Sequence, residues 1–527
     1  MKLYRAFATV GGLTMVSRVL GFVRDILIAA ALGSGAVADA FFVAFRFPNL
    51  FRRLFGEGAF NSAFVPLFAK RLEGEGQSAA KGFAEEAMAG LLLVLVPLSI
   101  AAMIAMPWLM VLLAPGFLED PEKYDLAVEL TQIAFPYLMC MSLVALLSGV
   151  LNSMRRFWVA AAAPILLNLV LISAIALALL LDYERRPEAG RVLAIGVLIA
   201  GFAQLAMLWI AVRRAGLSLR LVRPRYSEAM RRLVALGIPG LVSGGITQIN
   251  IVVGTIIASL QAGAVSYLYY ADRLYQLPLG IVGVAVGVVL LPDLARQLRS
   301  GDHAAAMDGQ NRSLEFALLL TLPAAVALAV ASRPIISVLF ERGAFTAADT
   351  PATAWALTAF ALGLPAFVII KVLQPAFFAR EDTATPMRFA AVNMVINVVG
   401  SLALFFAFQA AGLMPHVGIA LATSIAGWVN AGMLWARLKA QGDFRADRRL
   451  NRNLPLIAIA SAIMGALVLA MLDPLVPYMA AGQPLATRVL ALAALVGAGA
   501  LAFSALIVGT GVLGLDQIRR FLRRRAG

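Results

Sequence analysis

The chain has 527 residues, 61% of them hydrophobic and only 14% charged, with a formal net charge of +15. Soluble domains carry roughly 25% charged residues, so this composition excludes an ordinary soluble protein and indicates a polytopic membrane protein. The surplus Lys and Arg fall in short loops between apolar runs, which is a topology signal, and no nucleic acid partner is expected.

Met1-Lys2-Leu3-Tyr4-Arg5 opens like a signal peptide, but Arg18, Arg24 and Asp25 interrupt the apolar stretch that follows, so the segment reads as a retained first helix. Apolar runs long enough to span predict an all-α protein of about 14 transmembrane helices. Their centres fall near Met15, Phe45, Leu98, Met139, Val170, Ile199, Ile249, Val284, Ala324, Val368, Val395, Ala422, Gly465 and Ala498. Basic loops, among them Lys70/Arg71/Lys81, Arg155/Arg156, Arg213 to Arg232 and Arg437 to Arg452, alternate with neutral or acidic ones such as Ala114 to Asp125. The excess of positive charge in inner loops then places both termini in the cytoplasm. Cys140 is the single cysteine, so no intrachain disulfide forms.

Two halves of the chain repeat. Gly35-Ala36-Val37 matches Gly263-Ala264-Val265, Pro66 to Lys70 matches Pro292 to Arg296, and Pro107 with Gly116 matches Pro334 with Gly343. Pro136 and Asn168 find Pro365 and Asn393, and every offset lies between about 225 and 229 residues. The expected organisation is two pseudosymmetric six-helix lobes, residues 1–215 and 216–440, followed by a helix pair with a basic tail at 441–527. Two such lobes suit alternating access. Gly11-Gly12, Gly21, Pro48, Gly237, Pro239-Gly240 and Gly244-Gly245 are candidate hinges, although such residues are common in membrane helices.

Arg18, Arg24, Asp25, Asp39, Arg52, Arg53, Glu57, Asp272 and Arg273 lie in or beside apolar stretches. A charge at the middle of a membrane helix costs roughly 2.5–3.5 kcal/mol, so such a cluster is expected to face an interior cavity. Arginine dominates it, and the guanidinium fork binds phosphate or pyrophosphate bidentately. Asp25, Asp39 and Glu57 are expected to pair with these arginines or to gate them. Arg18 and Asp25 share a helix face, as do Asp39, Arg46 and Arg53, but Pro48 shifts the phase, and periodicity leaves open whether Arg52 or Arg53 faces inward.

The run Ser17-Arg18-Val19-Leu20-Gly21-Phe22-Val23-Arg24-Asp25, with Asp39-Ala40-Phe41-Phe42, Pro48-Asn49-Leu50-Phe51-Arg52-Arg53, Glu57-Gly58-Ala59-Phe60 and Tyr269-Tyr270-Ala271-Asp272-Arg273-Leu274, closely resembles the MurJ (MviN) lipid II flippases. The similarity covers nearly the whole chain. It implies lipid II as substrate, an undecaprenyl chain joined through pyrophosphate to a disaccharide-pentapeptide, with membrane lipid around a monomeric transporter. It also implies that Arg18, Arg24, Arg52 and Arg273 bind the substrate, with Gly21, Asp25, Asp39, Glu57 and Asp272 gating or supporting, and that the last two helices hold the lipid tail.

A flippase for another polyprenyl-pyrophosphate-linked sugar and a multidrug antiporter of the same superfamily are the rival readings. An enzyme is not expected, because His303 and His416 are the only histidines and neither has metal-binding or triad spacing. No GxxxxGK[ST] loop occurs, which argues against an ATP-driven pump. No cofactor is expected beyond a sodium ion, for which Asn250, Asn393 and Asn397 supply oxygens; asparagine in membrane helices more often bonds to a neighbouring helix.

Overall fold

A computed structural model describes residues 2–52 and 60–513, leaving out the side chains of 2–8, 51–52, 60–62, 239–247, 281, 283–289 and 291. Helices account for nearly all of it, and no β-strand occurs among the described residues. Ten helical segments there are long and apolar enough to cross a membrane. Large apolar side chains such as Leu93, Ile104, Leu180 and Leu501 stand exposed on them, the surface that a bilayer covers.

The helices fall into two compact units, Met1–Ser266 with Gly343–Phe345, and Tyr267–Arg342 with Thr346–Gly527. The first holds α1 (Lys2–Leu32), α2 (Ala36–Arg52), α3 (Phe60–Gly74), α4 (Gly76–Ile104), α5 (Met106–Leu113), α6 (Pro121–Ala134), α7 (Tyr137–Ser153), α8 (Phe157–Leu180), α9 (Pro187–Arg214) and α10 (Glu228–Ser259). The second holds most of α11 (Ala264–Arg299), then α12 (His303–Val330), α13 (Ser332–Phe340), α14 (Asp349–Phe378), α15 (Ala384–Ala410), α16 (Pro415–Ala440), α17 (Arg448–Met479) and α18 (Leu485–Gly509).

Local chemistry sets the helix starts. Asp120 accepts from the Lys123 N–H at 3.1 Å and Pro121 occupies the first turn of α6; Ser227, Asp302 and Asp447 cap α10, α12 and α17 in the same way. The run centred on Met139 is not one straight helix, because Pro136 has no N–H to give and α6 ends at Ala134 before α7 begins. By contrast α1 passes unbroken through Gly11, Gly12 and Gly21, and α10 through Gly237, so these candidate hinges are continuous helix in this conformation. The stretch Ala114 to Asp125, expected as a loop, holds a 3₁₀ turn at Pro115–Glu119 and the first turn of α6.

In unit 1, α1 lies on α8, α2 on α6 and α9, and α10 on α3, α4 and α5. In unit 2, α14 packs between α12 and α16, and α17 against α12 and α18. Small residues allow the close approaches: a Cβ on Gly363 of α14 would lie 2.5 Å from Ser424 Oγ of α16, and one on Gly465 of α17 would lie 2.6 Å from Val326 of α12.

Candidate functional site

Arg24 and Asp25 sit side by side on α1 and are both buried. The Arg24 Nε and Nη2 donate to Asp25 Oδ1 at 3.0 and 2.6 Å, and Nη1 donates to Asn168 Oδ1 of α8 at 2.9 Å. Asn168 Nδ2 in turn donates to the Ser17 carbonyl at 2.9 Å, which ties both ends of the amide to α1. The Phe45 ring of α2 lies 6.0 Å from the Arg24 guanidinium carbon. An ion pair at this depth is stable only with its remaining hydrogen-bonding capacity met, and Asn168 meets part of it. Gly21, one turn earlier on α1, faces the same amide: a Cβ there would meet Asn168 Nδ2 at 3.5 Å, ordinary contact.

Arg18 is on α1 as well, and its side chain is exposed. Arg52 is the last residue of α2, with its side chain outside the described residues, and Glu57 and Arg53 lie outside them altogether. In unit 2 the Arg273 guanidinium is half-buried over the Tyr269 ring, 4.5 Å from its centroid, and Asp272 accepts a hydrogen bond from Gln276 one turn along α11.

Asp39 does not pair with an arginine, contrary to the sequence expectation. Its fully buried carboxylate accepts from Lys123 Nζ at 2.7 Å, from the Gly263 N–H at 2.9 Å, and from the Ser266 N–H and Oγ at 3.0 and 2.9 Å. It thereby caps the N-terminus of α11 from another helix, where exposed N–H groups and the helix dipole favour a negative charge. The Lys123 ammonium also lies 4.0 Å from the Phe117 ring centroid. Sequence reading missed Lys123 because it falls in the stretch taken as an outer loop; the Asp120-Pro121 helix start was the signal that the segment is ordered.

Arg46, left open by the sequence, points toward α10. Its Nη1 donates to Thr255 Oγ1 at 2.7 Å beside a small cavity lined by Val43, Phe47 and Ile251.

Two further charged groups in unit 2 had no sequence signal. Glu315 of α12 is buried and accepts from Arg312, from Arg449 Nη2 at 3.2 Å and from Asn453 Nδ2 at 2.7 Å, while Arg312 also reaches Asp447. This network holds α17 on α12. Arg488 of α18, also buried, donates to the carbonyls of Met479 at 3.2 Å, Glu341 at 3.2 Å and Ser337 at 2.7 Å, groups at the C-terminal ends of α17 and α13. Burial and the neighbouring Arg488 hold the Arg342 guanidinium below the usual arginine range.

Asn397 accepts from Ser401 Oγ at 3.3 Å and from Thr423 Oγ1 of α16 at 3.2 Å, and no group of three His, Cys, Asp or Glu stands together among the described residues.

The model of the lipid II flippase MurJ family matches residues 28–487. A probable lipid II flippase MurJ from Rhizobium meliloti (strain 1021) is 49% identical over 527 residues, covering 100% of this chain and 97% of the relative. A solved lipid II flippase MurJ in an inward closed conformation superposes with a TM-score of 0.77 at 26% identity, covering 96% of this chain and 99% of that one. An inward-facing multidrug resistance MATE family transporter of the MOP superfamily shares the fold at a TM-score of 0.64 and 14% identity, covering 83% of this chain and 98% of that one. With its charged first helix, its wholly helical build and a family match across most of its length, the chain belongs to the MurJ lipid II flippase family.

Proposed function

We propose that this protein carries lipid II from the inner to the outer leaflet of the bacterial cytoplasmic membrane by alternating access. The observation that carries the reading is Arg24, a buried guanidinium on α1 whose fork is turned onto Asp25 and Asn168. A pyrophosphate is a stronger bidentate acceptor than one carboxylate oxygen and competes with Asp25 for the same fork. Arg18, Arg52 and Arg273 complete the grip on the diphosphate, and Glu57, Asp272 and Gly21 support it.

In this reading α1, the α2/α3 segment, α10 and α11 join the ten strongly apolar spans to give 14. They form lobes at 1–215 and 216–440 and a lipid-tail pair at 441–527, with both termini cytoplasmic. The isoprenoid stays in hydrocarbon while the headgroup crosses. A negative-inside potential contributes about 2.3 kcal/mol per charge per 100 mV, which favours both outward movement of an anionic headgroup and inward return of an empty cationic cavity. The chain acts as a transporter and makes or breaks no covalent bond in its cargo.

Labelled lipid II in liposomes tests this. Transfer is expected with the parent protein, faster with an imposed inside-negative potential, and reduced at least tenfold in Arg24→Ala. Transfer by Arg24→Ala at the parent rate rejects the pyrophosphate assignment, and equal transfer of a different polyprenyl-pyrophosphate sugar supports the broader flippase reading.

A further inference from the structure

A cavity of about 210 Å³ lies in unit 1 between α4, α7, α9 and the segment that follows α9. Its lining includes the buried Leu146 and Leu147 of α7, Met88 of α4, and Trp209 of α9, with Leu221 from the loop; every lining residue is Leu, Met or Trp. An apolar hollow of roughly 150 Å³ in a protein already stays dry and takes up small hydrocarbons. This one therefore favours an alkyl chain over water.

The surroundings are basic. Arg213 lies four residues beyond Trp209 on the same face of α9, and Arg220 and Arg223 bracket Leu221. All three arginines are exposed, and among the described residues none has an ion pair. Leu221 itself is 70% exposed and Tyr226 is 72% exposed, so the loop carries apolar side chains in reach of lipid among its charges.

The loop is held in place by other groups. Gln77 Nε2 donates to the Gly216 carbonyl at 3.3 Å, the Arg220 N–H donates to Glu85 Oε1 at 2.7 Å, and Ser227 Oγ donates to Glu86 Oε2 at 2.6 Å. Glu85, which Lys81 approaches at 3.7 Å, and Glu86 are thus engaged with the loop. The guanidiniums of Arg213, Arg220 and Arg223 take part in none of these bonds.

We infer that this hollow and the arginines next to its lining residues in sequence bind an anionic glycerophospholipid, with a segment of one acyl chain in the cavity and the phosphate on Arg213, Arg220 and Arg223. The volume suits a short alkyl segment. Charge complementarity selects an anionic headgroup over a zwitterionic one, since each arginine near a membrane surface contributes about 1 kcal/mol, roughly a five-fold preference. The bound lipid would brace α4, α7 and α9, none of which carries the arginines assigned to the transported pyrophosphate.

Quenching of Trp209 fluorescence by lipids brominated near the chain end tests the inference in nanodiscs, with Trp209→Phe subtracted to remove the other five tryptophans. Brominated phosphatidylglycerol is expected to quench at a lower lipid fraction than brominated phosphatidylcholine. The preference should shrink roughly five-fold with each of Arg213→Ala, Arg220→Ala and Arg223→Ala, and narrow in 1 M NaCl, where the screening length is about 3 Å. Equal quenching by the two lipids overturns the inference, as does a triple variant that keeps the preference. Displacement of the brominated lipid by added lipid II assigns the hollow to the substrate and also overturns it. If the triple variant does not fold, the salt series on the parent protein decides: a preference unchanged by NaCl rejects the site.

Discussion

Gly116 lies against the last turn of α10, where a Cβ would stand 2.2 Å from the Ser259 carbonyl oxygen, while its N–H donates to Ser259 Oγ at 3.2 Å. Gly343, its counterpart in the repeat, adopts φ +55 with a Cβ position 2.4 Å from the carbonyl oxygen of Ala30 near the end of α1. Two glycines that align in sequence thus each receive the end of a long helix. The adjacent Ala344 N–H donates to Ala30 O at 2.7 Å, and its carbonyl accepts from Arg185 Nε and Nη2 at 3.0 and 2.6 Å.

Gly116→Ala is therefore expected to destabilise the protein by roughly 1–3 kcal/mol, because backbone at Ser259 must move to admit the methyl group. Gly343→Ala meets both a backbone clash and a positive φ and should cost more. Thermal unfolding in detergent measures both, with Gly497→Ala in α18, where nothing lies within 4 Å, as the clash-free control that should not destabilise.

Asp39 and Lys123 form a buried pair, so removing one partner leaves an uncompensated charge. Lys123→Met is expected to cost about 3–5 kcal/mol. Asp39→Asn combined with Lys123→Met should cost less than Lys123→Met alone, since the amide oxygen still accepts from Gly263 or Ser266 and no unpaired charge remains. A double-mutant cycle on unfolding midpoints reads the coupling; strict additivity would show that the pair is energetically inert.

The Arg24 fork separates positioning from charge. Asn168→Ala removes the acceptor for Nη1 and the donor to Ser17 but leaves the Asp25 pair, so a partial loss of transport is expected, smaller than that of Arg24→Ala. Arg24→Lys keeps the charge without the fork and should stay well below the parent rate. Recovery of parent activity by the lysine would mean that charge alone suffices.

Glu315 gathers Arg312, Arg449 and Asn453 between α12 and α17. Glu315→Gln is expected to destabilise by roughly 2–4 kcal/mol, as a buried partner of two cations is lost, whereas Arg449→Ala, half-exposed, should cost about 1 kcal/mol or less. Proteolysis within residues 441–447 reports whether α17 has loosened. Equal susceptibility of both variants would count against the network's role.

The sequence by itself determined the class, the strongly apolar spans and the placing of Arg18, Arg24 and Asp25 on one long first helix. Those features depend on composition and on the cost of placing charge in hydrocarbon, both of which are local. The 225–229 residue repeat also marked Gly116 and Gly343 as equivalent, through matching residues at a near-constant offset. Pairing was different. The sequence put Asp25 on the same helix face as Arg18, yet its carboxylate pairs with the adjacent Arg24; Asp39 with Lys123 joins residues 84 apart, and Arg24 with Asn168 joins residues 144 apart. Helix periodicity gives the face of a side chain and carries no information about which distant helix lies opposite it. Only the packed bundle decided that Asp39 caps α11, that Glu315 anchors α17, and that Arg46 turns toward Thr255, because each depends on which small residues let two helices approach and in what register.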